Sequence, residues 1–138
     1  MSSENYSGSC ICGSIRYEIS GEFRFFFHCH CGRCRKSTGT AHASNVILKP
    51  DTVAWTEGEE LIGTFKVPDA KHFYTAFCKN CGSPMPRISP DQSVAAIPAG
   101  TLDTSPDLKP TARIFYASRT GWSCDAGELP TWDEYPEA

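Results

Sequence analysis

Seven of the eight cysteines lie in three tight groups. Cys10 and Cys12 are one residue apart, Cys29, Cys31 and Cys34 fall within six residues, and Cys78 and Cys81 form a Cys-Lys-Asn-Cys pair. Cys124 stands apart. Thiolates are good zinc ligands, and a structural zinc takes four ligands in a tetrahedron. A Cys-x-x-Cys pair on a tight turn presents both sulfurs to one ion. Glycine follows cysteine at Cys12-Gly13, Cys31-Gly32 and Cys81-Gly82, where a sharp turn lets backbone N–H groups point at sulfur. Two pairs close one tetrahedron, so Cys10, Cys12, Cys78 and Cys81 are expected to hold a structural zinc that staples the β core. A domain of this size has a modest core, and such a staple adds directly to folding stability.

Cys29, Cys31 and Cys34 remain. Three protein ligands and an open position are the arrangement of a catalytic zinc, so this group is expected to hold a second, more labile ion. His28, His30 or Cys124 would close the site by supplying a fourth ligand. Residues two apart on a strand share a face. His28 and His30 therefore point away from Cys29 and read as surface or supporting imidazoles. Cys124 reads as a small buried hydrophobe. Three thiolates on Zn²⁺ carry a net charge of −1, which makes a poor Lewis acid for water. Such a centre still binds a thiol as thiolate, the nucleophilic form. The expected chemistry is at sulfur: making or breaking a bond between a thiol and an electrophilic carbon. Arg33, Arg35 and Lys36 lie beside the group, placed to neutralise it and to hold a substrate carboxylate. Ser37, Thr38 and Gly39 are candidates to cradle an anionic substrate.

These residues need short strands to position them. Residues 9–19 alternate with a period of two through Ile11, Ile15, Tyr17 and Ile19. The aromatic run 23–28 reads as a buried strand. Residues 44–48, 61–67, 73–77, 94–99 and 113–117 are further strand candidates, rich in Val, Ile, Phe and Tyr. Pro50, Gly58, Pro68 and Gly82 punctuate them. Residues 33–40 hold a helical turn that Gly39 limits. No repeat or linker divides the chain, so one mainly β domain over residues 1–138 is expected. Trp55, Phe65, Phe73, Trp122 and Trp132 read as core or as pocket walls near a zinc.

Composition narrows the classes further. The net charge is −3, and seven thiolates on two Zn²⁺ make the chain more acidic still. Nucleic acid, which asks for a basic face, is not an expected partner. No stretch is long and apolar enough for a membrane helix. Residues 1–6 show no basic-then-apolar export signal. A cytoplasmic protein with reduced thiols is the expectation, and its cysteine clusters then read as metal sites rather than disulfides. Short β domains with exposed edges often pair, so a homodimer is an open outcome.

Three motifs occur in order: residues 8–17 (GSCICGSIRY), 28–39 (HCHCGRCRKSTG) and 77–84 (FCKNCGSP). Together with the tail 130–136 (PTWDEYP), they resemble the glutathione-dependent formaldehyde-activating enzyme family, which also includes centromere protein V. The resemblance covers residues 8–136. It implies a β-tent, Mss4-like fold with zinc-stapled antiparallel sheets. It places the structural zinc on Cys10, Cys12, Cys78 and Cys81, and the catalytic zinc on Cys29, Cys31 and Cys34. It implies a carbon–sulfur lyase resembling S-(hydroxymethyl)glutathione synthase, with glutathione or a similar thiol and an aldehyde, formaldehyde, as substrates. His30 is the candidate proton donor. Two other readings stand beside this one. One is a non-catalytic zinc module for protein interaction or metal handling. The other is a thiol redox enzyme, similar to methionine sulfoxide reductase B, that uses Cys124.

Overall fold

The computed structural model describes residues 4–104, 107–124 and 127–136. In chain order the strands are β1 (Glu4–Ser9), β2 (Arg16–Cys29), β3 (Ala43–Glu57), β4 (Ile62–Lys66), β5 (Tyr74–Cys78), β6 (Arg87–Ile88), β7 (Ala95–Pro98) and β8 (Ala112–Ile114). A helix of two turns, α1 (Gly32–Thr38), follows β2. The six-stranded sheet runs β1-β2-β3-β7-β6, and β8 pairs in parallel with the end of β2. β4 and β5 form a separate antiparallel hairpin. The mainly β architecture of small antiparallel sheets agrees with the Mss4-like expectation.

The antiparallel β2–β3 ribbon is the spine, in register from Arg16 opposite Glu57 to Cys29 opposite Ala43. Alternation sets its inner face. Tyr17, Ile19, Val46 and Leu48 are each at most 1 % exposed. They pack with Ile15, Met85 and Ile97 in the main core. Burial of branched and aromatic side chains from both sheets holds the hairpin against the ribbon.

Several expected elements have different limits. Residues 9–19 are not one strand. β1 ends at Ser9, and a turn through Gly13 at φ 77° precedes β2. The aromatic run 23–28 belongs to β2, but it is not uniformly buried. Phe26 faces the core, whereas Phe25 is 48 % exposed and stacks on Phe27 at 4.8 Å. Pro50 does not end a strand. β3 continues through it because the register shifts there: Ser20 pairs with Thr52 and Gly21 with Pro50. A bulge is where a residue without an N–H is tolerated inside a ladder. The strand expected over 113–117 stops at Ile114, since Phe115 turns into the left-handed region at φ 52°. The helical turn does end at Gly39, whose φ of 71° makes it the left-handed cap.

Candidate metal centres

Cys10 and Cys12 lie on the turn between β1 and β2. Cys78 closes β5, and Cys81 lies on the turn after it. The first turn is fixed by Gly13 N–H donating to the Cys10 carbonyl at 2.9 Å, the second by Gly82 N–H donating to the Cys78 carbonyl at 2.7 Å. Gly82 has φ 83°, which a residue with Cβ adopts only at a cost. Ile11 N–H donates to Ser83 Oγ at 2.9 Å, so the turns brace each other. The four ligand sulfurs all lie within 4.8 Å of one another. Cys10 and Cys12 sulfurs are 3.5 Å apart, and those of Cys12 and Cys78 are 3.9 Å apart. A tetrahedron with Zn–S of ~2.3 Å has edges of roughly 3.8 Å, so the donor set fits zinc in number, type and spacing.

Local donors favour thiolate at Cys12 and Cys81, whereas burial pushes the Cys78 thiol up. Ser14 and Asn80 hydrogen bonds hold Cys12 down at about 5, with Asn80 Nδ2 at 3.2 Å. Ser83 holds Cys81 at about 7. Ile15 N–H donates to Cys10 Sγ at 3.3 Å. This group joins the six-stranded sheet to the hairpin, which makes it a link between sheets.

The second group is built within one short stretch. Cys29 ends β2, Cys31 caps α1 by accepting from Cys34 N–H at 3.4 Å, and Cys34 is buried in the first turn of α1. The three sulfurs lie within 4.8 Å of one another. Burial pushes the Cys29 and Cys34 thiols up. Burial also opposes ionisation of Cys31, but hydrogen bonds from the Cys34 and Arg33 backbone and from the neighbouring thiols outweigh it and lower its pKa. Neither His28, His30 nor Cys124 belongs to this group among the described residues. The donor set therefore fits a three-thiolate ion with an open position.

A cavity of about 500 Å³ opens beside these cysteines. Phe27, Ile47, Phe73, Arg87, Ile114 and Phe115 line it with them. It adjoins a groove of about 800 Å³ that shares Cys34, Asn45, Phe73 and Arg87 with it. Of the residues expected to hold substrate, Arg33 lines the cavity and Ser37 and Thr38 line the groove. Both hydroxyls donate to the Cys34 carbonyl, at 3.2 and 2.8 Å, so they also finish the helix. Arg35, Lys36 and Gly39 line neither space. Sequence reasoning missed Arg87, Asn45 and Phe115. Arg87 comes from a two-residue strand far from the cysteine motifs, and no local pattern marked it.

His28 and His30 go elsewhere, whereas His42 also lines the groove beside Cys34. His28, His30 and His42 line a third cavity of about 730 Å³, together with Cys124 and Trp132. His28 stacks on His42 at 3.9 Å, and His30 meets Tyr116 edge-on at 5.0 Å. His30 is not a surface residue. It is 2 % exposed, and among the described residues neither ring nitrogen has a hydrogen-bond partner. Burial first, then the nearby His42, Arg113 and Arg119, lower its pKa. Cys124 is exposed rather than buried. Among the aromatic candidates, Phe73 lines the cysteine cavity and Trp132 the histidine cavity. Trp55 packs on Tyr17, while Phe65 and Trp122 are exposed.

Among the described residues no helix is long and apolar enough to cross a membrane. The chain matches the family model of the glutathione-dependent formaldehyde-activating enzyme over residues 5–118. Among solved structures it is similar to a crystal structure of a Rhodobacter sphaeroides protein. The two share 16 % sequence identity at a TM-score of 0.54, over 78 % of this chain and 98 % of that one. At that identity the likeness is one of fold. No curated protein matches the chain.

Proposed function

The chain belongs to the glutathione-dependent formaldehyde-activating enzyme family, and on that premise we propose that it is a zinc-dependent carbon–sulfur lyase-type enzyme. Its substrates are a small thiol and an aldehyde. The observation that carries this reading is the group Cys29, Cys31 and Cys34, which has three sulfurs in mutual reach and borders a cavity. Zinc bound there would lower the pKa of an incoming thiol and keep it ionised near neutral pH. Cys10, Cys12, Cys78 and Cys81 would hold the structural ion.

The protein's own residues supply binding and orientation. Arg33 and Arg87 offer guanidinium donors for a carboxylate. The thiolate sulfur attacks the carbonyl carbon of formaldehyde. The C–S bond forms as the C=O π pair moves to oxygen, and that oxygen takes the proton that the thiol gave up. The product of glutathione is S-hydroxymethylglutathione. His30 lines a different cavity from the three cysteines, so the proton is assigned to solvent. Cysteines grouped as metal ligands suit a cytoplasmic setting, where thiols stay reduced.

Exchange NMR of glutathione with formaldehyde tests the reading. The zinc-loaded protein is expected to speed exchange above the uncatalysed rate, and Cys29→Ala to abolish the gain. In the cobalt-substituted protein, about half of the visible absorption is expected to respond to a thiol ligand, because one of two sites is open. Two bound cobalt ions with no response to any thiol, and no gain in exchange, would replace this reading with a non-catalytic zinc module.

A further inference from the structure

Resting on the open three-cysteine site proposed above, the cavity also carries information about what binds it. Its walls are aromatic or branched at Phe27, Ile47, Phe73, Ile114 and Phe115. Apart from the cysteines and Asn45, its polar side chains are two arginines, Arg33 and Arg87. Among the described residues no Asp or Glu lines it.

Arg87 is held in place. It donates from Nη1 to the Tyr74 carbonyl at 3.4 Å, and its guanidinium lies 5.2 Å over the Phe73 ring. An arginine has five N–H donors in a planar fork, and no carboxylate of the described residues pairs with this one. A fixed guanidinium at an apolar wall is matched by one carboxylate on an otherwise apolar ligand.

Phe115 adds a second observation. It is 64 % exposed, yet its backbone sits at φ 52°. A bulky side chain in that region costs free energy, and a ring that is mostly exposed recovers little of it by burial. Such positions concentrate where a ligand is clamped. The ring stands on the cavity wall, beside Ile114.

The two carboxylates of glutathione match Arg33 and Arg87, but the rest of the molecule fits this lining poorly. It has an ammonium and two amides, and no apolar side chain. Its ammonium would find no acidic partner in the cavity. Among the described residues the acidic one that lines the adjoining groove, Asp103, lies outside this cavity. We propose that the cavity selects a thiol bearing one carboxylate and an aromatic or branched apolar group, with no ammonium. Arg87 binds the carboxylate, and Phe73 and Phe115 bind the apolar group.

Titration of the cobalt-substituted protein tests this through its visible bands, with four probes: 2-sulfanyl-3-phenylpropanoate, 2-sulfanylpropanoate, 2-phenylethanethiol and glutathione. The phenyl acid is expected to bind about tenfold or more tighter than each of the others, the size of effect that burying one ring or making one charge-assisted hydrogen bond gives. Arg87→Met is expected to erase its advantage over 2-phenylethanethiol. Phe115→Ala is expected to shrink its advantage over 2-sulfanylpropanoate severalfold. Glutathione binding as tightly as the phenyl acid, or no advantage from the ring in the unaltered protein, overturns the proposal and leaves the open site standing. Silence toward all four probes overturns the open site and this proposal with it. The comparison among probes is made on the unaltered protein, so it does not depend on how either variant folds.

Discussion

Gly58 and Gly39 share a left-handed backbone but differ in what a methyl group would meet, and that difference yields a quantitative prediction. Gly58 has φ 77° and Gly39 has φ 71°. Alanine pays about 1–2 kcal/mol in that region. At Gly39 nothing else lies within 4 Å of a Cβ, so Gly39→Ala is expected to cost only that. At Gly58 a Cβ would fall 2.1 Å from the Ser14 carbonyl oxygen and 3.0 Å from Ile15 Cα. The turn would have to retreat by roughly an ångström, but Ile15 is fully buried and anchors it. Forcing atoms into a packed site costs about 1–3 kcal/mol more, so Gly58→Ala is expected to cost about 2–5 kcal/mol in all. The turn also carries Cys10, whose sulfur accepts from Ile15 N–H. Gly58→Ala should therefore speed zinc loss to a chelator from the four-cysteine site, and Gly39→Ala should not. Urea unfolding of both variants at fixed zinc gives the stability difference from the midpoints at equal slope. Two variants equal within about 0.5 kcal/mol, with equal zinc release, would refute the claim that the Gly58 contact positions the ligand turn.

Four further outcomes follow from the same structure. Cys78→Ala is expected to leave the chain largely unfolded, because structural zinc contributes roughly 10–16 kcal/mol where net stabilities are about 5–15. Cys29→Ala should keep a cooperative melt and one zinc, as circular dichroism with a zinc count would show. Tyr17 is pushed up to about 12 by burial, with Asp103 adding to it against the Thr101 hydrogen bond. The folded state therefore keeps its proton when the unfolded state loses it. Stability is full below pH 10 and falls by up to about 2.7 kcal/mol as pH rises toward 12. Tyr17→Phe removes this part of the alkaline loss, at about 1 kcal/mol for the 2.7 Å hydrogen bond to Thr101. Urea midpoints across pH 8–12 that decline equally in both proteins would contradict it. His30→Leu replaces a buried ring with no hydrogen-bond partner by an apolar side chain. It is expected to be neutral or stabilising by about 1 kcal/mol, with thiol binding to the cobalt protein unchanged. A loss of thiol binding would place His30 at the cysteine site after all.

The cysteine groups were legible because ligand spacing is a local property. Cys29 to Cys34 needs only a strand end and a helix cap to converge, and Cys10 with Cys12 needs only a turn. The helix stop at Gly39 was legible for the same reason. Alternation along β2 correctly separated His28 from Cys29, since the two line different cavities. It missed the burial of His30, which depends on Tyr116 from the other end of the chain. Arg87 and Phe115 reach the cavity through long-range pairing, from β6 and from the residue after β8, so no local pattern could mark them. Pro50 misled for a related reason: only the partner strand reveals that its missing N–H falls at a bulge. Arg35 and Lys36 stood out by charge and proximity, but a helix turns residues adjacent in sequence onto different faces.

The two cysteine groups differ in how their ligands are gathered, and this separates their roles. Cys12 and Cys78 are 66 positions apart and meet only when the sheet and the hairpin have docked. An ion held there is bound only by the assembled fold, so its binding free energy is folding free energy. Cys29, Cys31 and Cys34 come from one contiguous segment, and only a small cluster with Ala43 packs around them. Little of the fold depends on that ion being in place. Its position can stay open to a ligand without exposing the core. The main core lies around Ile15, Tyr17 and Val46, against the four-cysteine group. The fold thus sets its long-range cysteine group against the core and leaves the local one facing a cavity. A ligand entering that cavity would then meet a site free to exchange while the protein remains folded.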